Sequence, residues 1–344
     1  MRTRSFPARA ALALMIALVV CVVSASTSSV MAQGGKSTQP SLSPDEQKMI
    51  GAIMSATEPA AKLKAVEALI KKHPKTSART RVAREAADQI ADLKDAGQKL
   101  TLAQQYAGIF TEPAEQQMIM PVLIDALAAA NRADEAFSTG SEFLTRNPDS
   151  LFVLVGLMSL GTDQAKQKNP KFISQSLQYG THAIELIEAD KKPEYIDDAG
   201  WKKYKGTALP TLYQSMGLLN LVKGDHDGAK ARLAKAAELA PTDAFNYLLL
   251  AGILNDEYQD AAKRYQSMSN GPAKDEELKK IRAALDQVID AYAHTIALAE
   301  GNERLAPARQ QYLQDLEAYY KYRHNNSTAG MQQLIDKYKL PAKP

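Results

Sequence analysis

The chain has 344 residues, with 42 basic against 39 acidic side chains, five histidines and one cysteine. The excess positive charge sits in the first 32 residues, where Arg2, Arg4 and Arg9 face no acid; past them the two signs balance. A balanced chain lacks the basic composition suited to nucleic acid, and without a cysteine beyond Cys21 it has neither disulfides nor thiolate metal sites, so packing must supply its stability.

After the three arginines an apolar run extends from Ala10 to Val23 and gives way to small and polar residues ending in Val30-Met31-Ala32. That charge order predicts a secretory signal peptide over 1–32, cut near Ala32. The run, at 14 residues, is short of the ~20 that span a bilayer. An uncleaved anchor is the alternative. Cys21 follows Leu18-Val19-Val20, without the small residue that precedes a lipoprotein cysteine, and reads as filler that is removed. The mature chain is therefore expected to be exported, periplasmic or secreted, with no stable membrane span. Residues 33–44, rich in Gly, Ser and Pro, are expected to form a flexible leader.

From Asp45 onward leucine and alanine are plentiful, aromatics are few and no long alternation suggests strands. Turns are expected near Pro59, Pro74, Gly97, Pro113, Asn131, Pro148, Pro170 and Pro193. Residues 45–190 read as degenerate helix pairs. Val66, Leu69 and Pro74 make a faint half-unit; Ala103, Ala107, Phe110 and Pro113 make a clearer one. Met120, Leu123, Leu127, Ala136, Phe143 and Pro148 complete a whole unit, although Ile124 and Gly140 depart from its type.

Residues 191–209 break the rhythm as an insertion holding the only tryptophan. Asp197 or Asp198 can cap a short helix that sets Trp201 and Tyr204 on one side. Two readings stand: a ring wedged between flanking units, or a platform for stacking a ligand.

The clearest unit follows, from Pro210 to Pro241. Tyr213, Met216, Gly217 and Asn220 form its first half, and Ala229, Leu233, Ala236 and Pro241 its second. Between them Lys223-Gly224-Asp225-His226-Asp227-Gly228 supplies a glycine stop and acidic capping. Gly217 and Ala229 are small where two helices would cross. Tyr213, Met216 and Gly217 are followed one 34-residue period later by Tyr247, Leu250 and Ala251, after which Ala261, Tyr265 and Met268 are expected to form another second helix.

This order of residues resembles the tetratricopeptide repeat (TPR) pattern, with Met, Asn and Leu standing where Leu, Tyr and Phe are usual. The resemblance implies an all-α TPR-like solenoid, a right-handed superhelix of antiparallel helix pairs, with 210–272 as its two best repeats. It also implies a mode of action, the holding of a protein or peptide partner whose identity the sequence does not give. The family's ligands lie along a second face of the first helices, here Thr211, Gln214, Leu218 and Leu221, then Phe245, Leu248, Gly252 and Asn255. TPR domains that grip chaperone tails carry Lys, Arg and Asn there; Gln214, Leu218, Leu248 and Gly252 offer no such clamp. An apolar face suits an amphipathic helix or an apolar peptide. The other reading is that the chain itself covers it, with the Trp201 insertion as one candidate cover.

Residues 273–344 begin with a helix longer than a repeat helix, Lys274 to Glu300, whose Leu278, Ile281, Leu285, Val288, Tyr292, Thr295 and Ala299 form a seam. Gly301 stops it. Two further helices, with Tyr312, Leu316 and Tyr319, then Met331, Leu334, Ile335 and Tyr338, are expected to fold back as a cap; a homodimer through the 274–300 helix is the alternative.

No constellation for chemistry emerges. The five histidines are scattered, Asp225-His226-Asp227 is turn chemistry, and no cofactor or metal is expected. An exported binding scaffold, rather than an enzyme, is the expected function. The alternative is a component, catalytic or not, of an envelope enzyme system acting on glycan or peptide.

Overall fold

The computed structural model describes residues 42–193 and 196–339. The expected signal segment and most of the expected leader lie outside the described residues. Among the described residues there are fourteen α-helices and no strand. Their contacts divide the chain into two units, 42–160 and 161–339, the boundary falling within one helix.

In the first unit the helices are α1 (Pro44–Ser55), α2 (Pro59–Lys72), α3 (Arg79–Ala91), α4 (Ala96–Ile109), α5 (Pro113–Ala129), α6 (Ala133–Arg146) and the start of α7 (Leu151–Lys166). The leader ends one residue earlier than its composition suggests. Ser43 and Glu46 close a reciprocal capping box and Pro44 opens α1, because proline has no donor to lose in a first turn. Pro59 and Pro113 open α2 and α5 in the same way.

Two ion pairs join these helices, each with one buried and one partly exposed partner. Lys62 of α2, 2 % exposed, donates to Glu85 of α3 at 2.7 Å. Arg79 of α3 grips Glu115 of α5 with two guanidinium nitrogens. Removing the exposed partner, Glu85 or Arg79, leaves the buried charge of Lys62 or Glu115 unpaired, at a cost below the ~3–5 kcal/mol of a fully buried pair because solvent reaches the site.

The two departures in the 120–148 unit explain each other. A Cβ on Gly140 would lie 2.8 Å from Leu157 and 3.1 Å from Ile124. Ile124 is thus large because Gly140, opposite it, is absent as a side chain.

The second unit contains the end of α7, then α8 (Ile173–Glu188), α9 (Asp198–Lys223), α10 (His226–Leu239), α11 (Ala244–Ser267), α12 (Pro272–Leu298), α13 (Ala306–Arg323) and α14 (Met331–Asp336). The expected short helix in 191–209 is instead the first half of the 26-residue α9, which runs through Pro210. An interior proline costs an isolated helix about 3 kcal/mol. Packing holds the helix on both sides of it, with Trp201 buried before it and Leu212, Tyr213 and Met216 buried after it.

The α9–α10 pair has the crossing that the repeat spacing implies. A Cβ on Gly217 would lie 2.6 Å from Leu233 Cγ and 3.4 Å from the Ala229 carbonyl oxygen, and Ala229, Leu233 and Ala236 are fully buried. Gly224 ends α9 with φ 85°, and Asp225 caps α10 by accepting from the Gly228 N–H at 2.9 Å. This is the contact of Ile124 and Gly140 with the sizes exchanged: in each pair the two residues are sixteen apart, and one of them is glycine.

The next expected repeat differs. Ala261 and Tyr265 do not begin a second helix, because α11 continues without a break through 256–260. That stretch has no glycine to take a left-handed conformation as Gly224 does. The partner of α11 is α12, and the pair forms one long hairpin. The seam from Leu285 through α12 to its C-cap Ala299 is buried with α11, α13 and α14 of the same chain, in a cluster that includes Leu248, Ala251, Tyr312, Leu316 and Ile335. The inner part of the seam expected for a homodimer is therefore filled from within.

Gly217→Leu is expected to lower stability by roughly 1–3 kcal/mol through overpacking, read as a fall in the denaturation midpoint. The double variant Gly217→Ile, Leu233→Gly copies the Ile124/Gly140 arrangement and should recover part of that loss. Gly206→Ala, on open surface of the same helix, should instead raise stability by up to about 1 kcal/mol.

Candidate functional site

The face expected to hold a ligand is laid out along α9 and α11, and most of it is closed by the chain. Leu218 and Leu248 are buried at 6 % and 2 % exposure within the apolar cluster of α11, α12 and α13. Leu221 and Phe245 are half-buried against the same cluster. Gln214 donates to Asp243 at 2.7 Å and to Asn246 at 2.9 Å. Thr211 alone is exposed, and its hydroxyl donates to the Thr207 carbonyl.

The cover is a group of tyrosines, of which the sequence pattern assigned Tyr312 and Tyr319 to the capping helices and Tyr292 to the seam of the long helix. Tyr312 of α13 donates to the Leu248 carbonyl at 3.0 Å, and its hydroxyl oxygen lies 3.6 Å from where a Gly252 Cβ would be. Tyr319, one heptad on, donates to Asn255 at 2.9 Å and accepts from Gln259 at 2.7 Å. Tyr292 of α12 stacks on both, with ring centroids 4.4 and 6.1 Å away, and Tyr258 meets Tyr319 edge-on at 5.6 Å. Burial raises the phenol pKa of all four, that of Tyr319 to about 12. Asp256 and Asp315, on the flanks of the cluster, are also raised by burial. The expected ligand groove is thus occupied by α13, not by the Trp201 segment. Tyr312 and Tyr319 were visible in the sequence seven apart, but their counterparts on α11 are backbone and amide groups, which leave no apolar pattern.

Trp201 is 4 % exposed, and its indole N–H donates to Asp190 at 2.7 Å. Lys205 reaches the same carboxylate oxygen at 2.5 Å and sits 5.7 Å over the Trp201 ring, while Tyr204 stacks on it at 5.7 Å. Lys205 first, then the indole, hold the Asp190 carboxyl below its usual range. The ring is committed to its own hairpin, so the stacking-platform reading loses its free face.

The residues expected to be structural are mostly held within the chain. Tyr213 donates to Glu188 at 2.7 Å and is pushed up to about 12 by burial and that carboxylate. Met216 and Ala251 are buried, Leu250 is half-buried, Pro241 is exposed past the end of α10, and Ala261 and Tyr265 are half-buried. Tyr247 belongs to a second ring stack. His294 of α12 lies between Tyr247 and Tyr338, at 3.9 and 4.1 Å. Tyr338 donates to Asp290 at 2.6 Å, which ties the chain after α14 to α12. Among the described residues no group of three or more His, Cys, Asp or Glu is placed to hold a metal ion. No described helix is long and apolar enough to cross a membrane.

No protein-family model matches the chain, and no curated protein matches it in sequence. It is similar to a number of solved structures, including the following two. One is a thermophilic TPR protein of Thermus thermophilus, at 17 % identity over 68 % of this chain and 99 % of that one, with a TM-score of 0.38. The other is a tetratricopeptide repeat protein from Parabacteroides merdae, at 11 % identity over 85 % of this chain and 97 % of that one, with a TM-score of 0.41. Both are TPR proteins. At such scores the helix pairing here stands on its own contacts.

Two outcomes follow from this geometry. Leu248→Asp would set a carboxylate among buried side chains and should cost at least about 4 kcal/mol, so the protein should fail to fold rather than merely lose a ligand. Circular dichroism and a melting curve decide this. The second concerns His294, whose pKa is lowered from 6.5, chiefly by burial. The unfolded chain therefore takes up this proton first as pH falls. Stability from His294 is complete above about pH 6.5 and is lost as pH drops through the lower, folded value. Replacing His294 by Phe keeps a ring in the stack and should flatten that part of the pH dependence, read from denaturation midpoints between about pH 7 and 5.

Proposed function

We propose that the protein is an exported scaffold that holds a protein partner on the outside of its helix pairs. The observation that supports this most is the outer half of the α11–α12 hairpin. Arg323 at the end of α13 meets Asp286, and Lys230 of α10 meets Glu257. Beyond those contacts, from 261 to 284, Ile281 alone is buried. The two helices of that stretch cover one another and leave Tyr265, Met268 and Leu278 half-buried along the arm. Lys274 ties the two sides of the tip together, donating to the Met268 carbonyl at 2.9 Å and lying 5.1 Å over the Tyr265 ring. An arm already folded as a helix pair, with half-covered apolar side chains, loses less backbone entropy on docking than an unstructured segment would. Export is supported by the charge order of residues 1–32.

The test uses the full chain with a C-terminal tag, expressed in a bacterium and recovered from the envelope fraction. The recovered chain should begin at Gln33 and should bring down a defined protein that the Tyr265→Asp, Leu278→Lys variant, with an unchanged melting point, does not. Equal capture by both chains, or none by either, would remove the arm as the binding surface. An intact Met1 form found only in membranes would remove export in soluble form.

A further inference from the structure

The tip of the same arm carries the one Asn-Gly step in the sequence, Asn270-Gly271. We propose that this step is a site of self-modification, at which Asn270 loses its side-chain amide and becomes an acid without any enzyme. The chemistry begins with attack by the Gly271 backbone nitrogen on the side-chain carbonyl carbon of Asn270. A C–N bond forms, the nitrogen loses its proton to solvent, and the side-chain amide leaves as ammonia. Water then opens the five-membered imide at one of its two carbonyls, giving aspartate or its backbone-lengthened isomer. One water enters and one ammonia leaves, and no oxidant or reductant is involved.

Three features favour the reaction here. Both residues are exposed, and nothing lies within 4 Å of where a Gly271 Cβ would be, so the ring has room to close. The Gly271 N–H takes part in no backbone hydrogen bond among the described residues. It also stands at the N-cap of α12, where the positive end of the helix favours a nitrogen that is losing its proton. Lys274 provides the third feature, its ammonium lying 3.3 Å from the Asn270 side-chain oxygen, the atom on which negative charge develops as the nitrogen adds.

The Asn326-Ser327 step is a comparison within the chain. It is exposed too, but the Ser327 N–H donates to the His324 carbonyl at 3.0 Å and so is not free to attack. The product at Asn270 is also favoured where it forms. A carboxylate beside the first turn of α12, four residues before Lys274, has both the helix end and an ammonium to interact with. The tip of the arm thereby gains a negative charge it did not have at synthesis.

The experiment is incubation of the folded full chain at 37 °C in mildly alkaline buffer, with peptide mapping by mass spectrometry over time. Asn270 should convert first, as a mixture of aspartate and isoaspartate, with Asn326 still an amide. Lys274→Met should slow the conversion about two- to fivefold, the effect of one exposed charge. Its sign separates charge assistance from loosening of the loop, since a loosened tip would convert faster. An Asn270 that remains an amide while an unfolded peptide of the same sequence converts would overturn the proposal. A Lys274→Met rate equal to or above that of the unchanged chain would overturn the role of the lysine.

Discussion

Two of the helix pairs, α5–α6 and α9–α10, depend on one steric constraint, that a close crossing needs one position without a side chain to make room for the large residues facing it. In α9 and α10 the room is made by Gly217 and filled by Leu233. In α5 and α6 Gly140 is the small partner and Ile124 the large one, with Leu157 of α7 filling the same space. Summed volume is kept while its placement is exchanged, which packed interiors tolerate far better than a change in total volume. Seen by position, Ile124 and Gly140 look like two violations of the repeat. As a pair they satisfy it.

A second constraint acts on α9 and α11 together. Leu218 and Leu248 face away from the crossing and need a cover, and in this chain α12 and α13 supply it. The polar groups carried in with that cover are matched: the Tyr312 hydroxyl meets the Leu248 carbonyl, and Tyr319 sits between Asn255 and Gln259. A buried phenol without such partners would cost about 1–3 kcal/mol. The matching makes the tyrosine layer part of the core, not a ligand mimic waiting to be displaced. It also moves the search for a binding surface outward, to the hairpin tip where apolar side chains are only half covered.

Much of the fold was legible from spacing. The crossing residues Gly217 and Ala229, the glycine stop at 224, the cap at Asp225 and the return of the last helices onto α12 all follow from local chemistry and periodicity. What failed was the reading of breaks. Pro210 and the acidic stretch 256–260 look like interruptions, yet α9 and α11 run through both, because tertiary packing outweighs a single unfavourable residue and aspartate without glycine does not stop a helix. The candidate groove was misplaced for a different reason. Whether an apolar face is free or covered depends on contacts some 64 residues away in sequence, such as Leu248 with Tyr312, and nothing local records them.

Hydrogen exchange of the intact protein, resolved along α11 and α12, tests this arrangement most directly. The inner halves, 244–257 and 285–298, are core closed by the tyrosine layer, whereas 261–284 is an arm held by its own pairing alone. Amides of the inner halves should exchange only through global unfolding, while those of the arm should exchange orders of magnitude faster through local opening. Inner halves that exchange as fast as the arm would mean that the face of Leu218 and Leu248 is open after all.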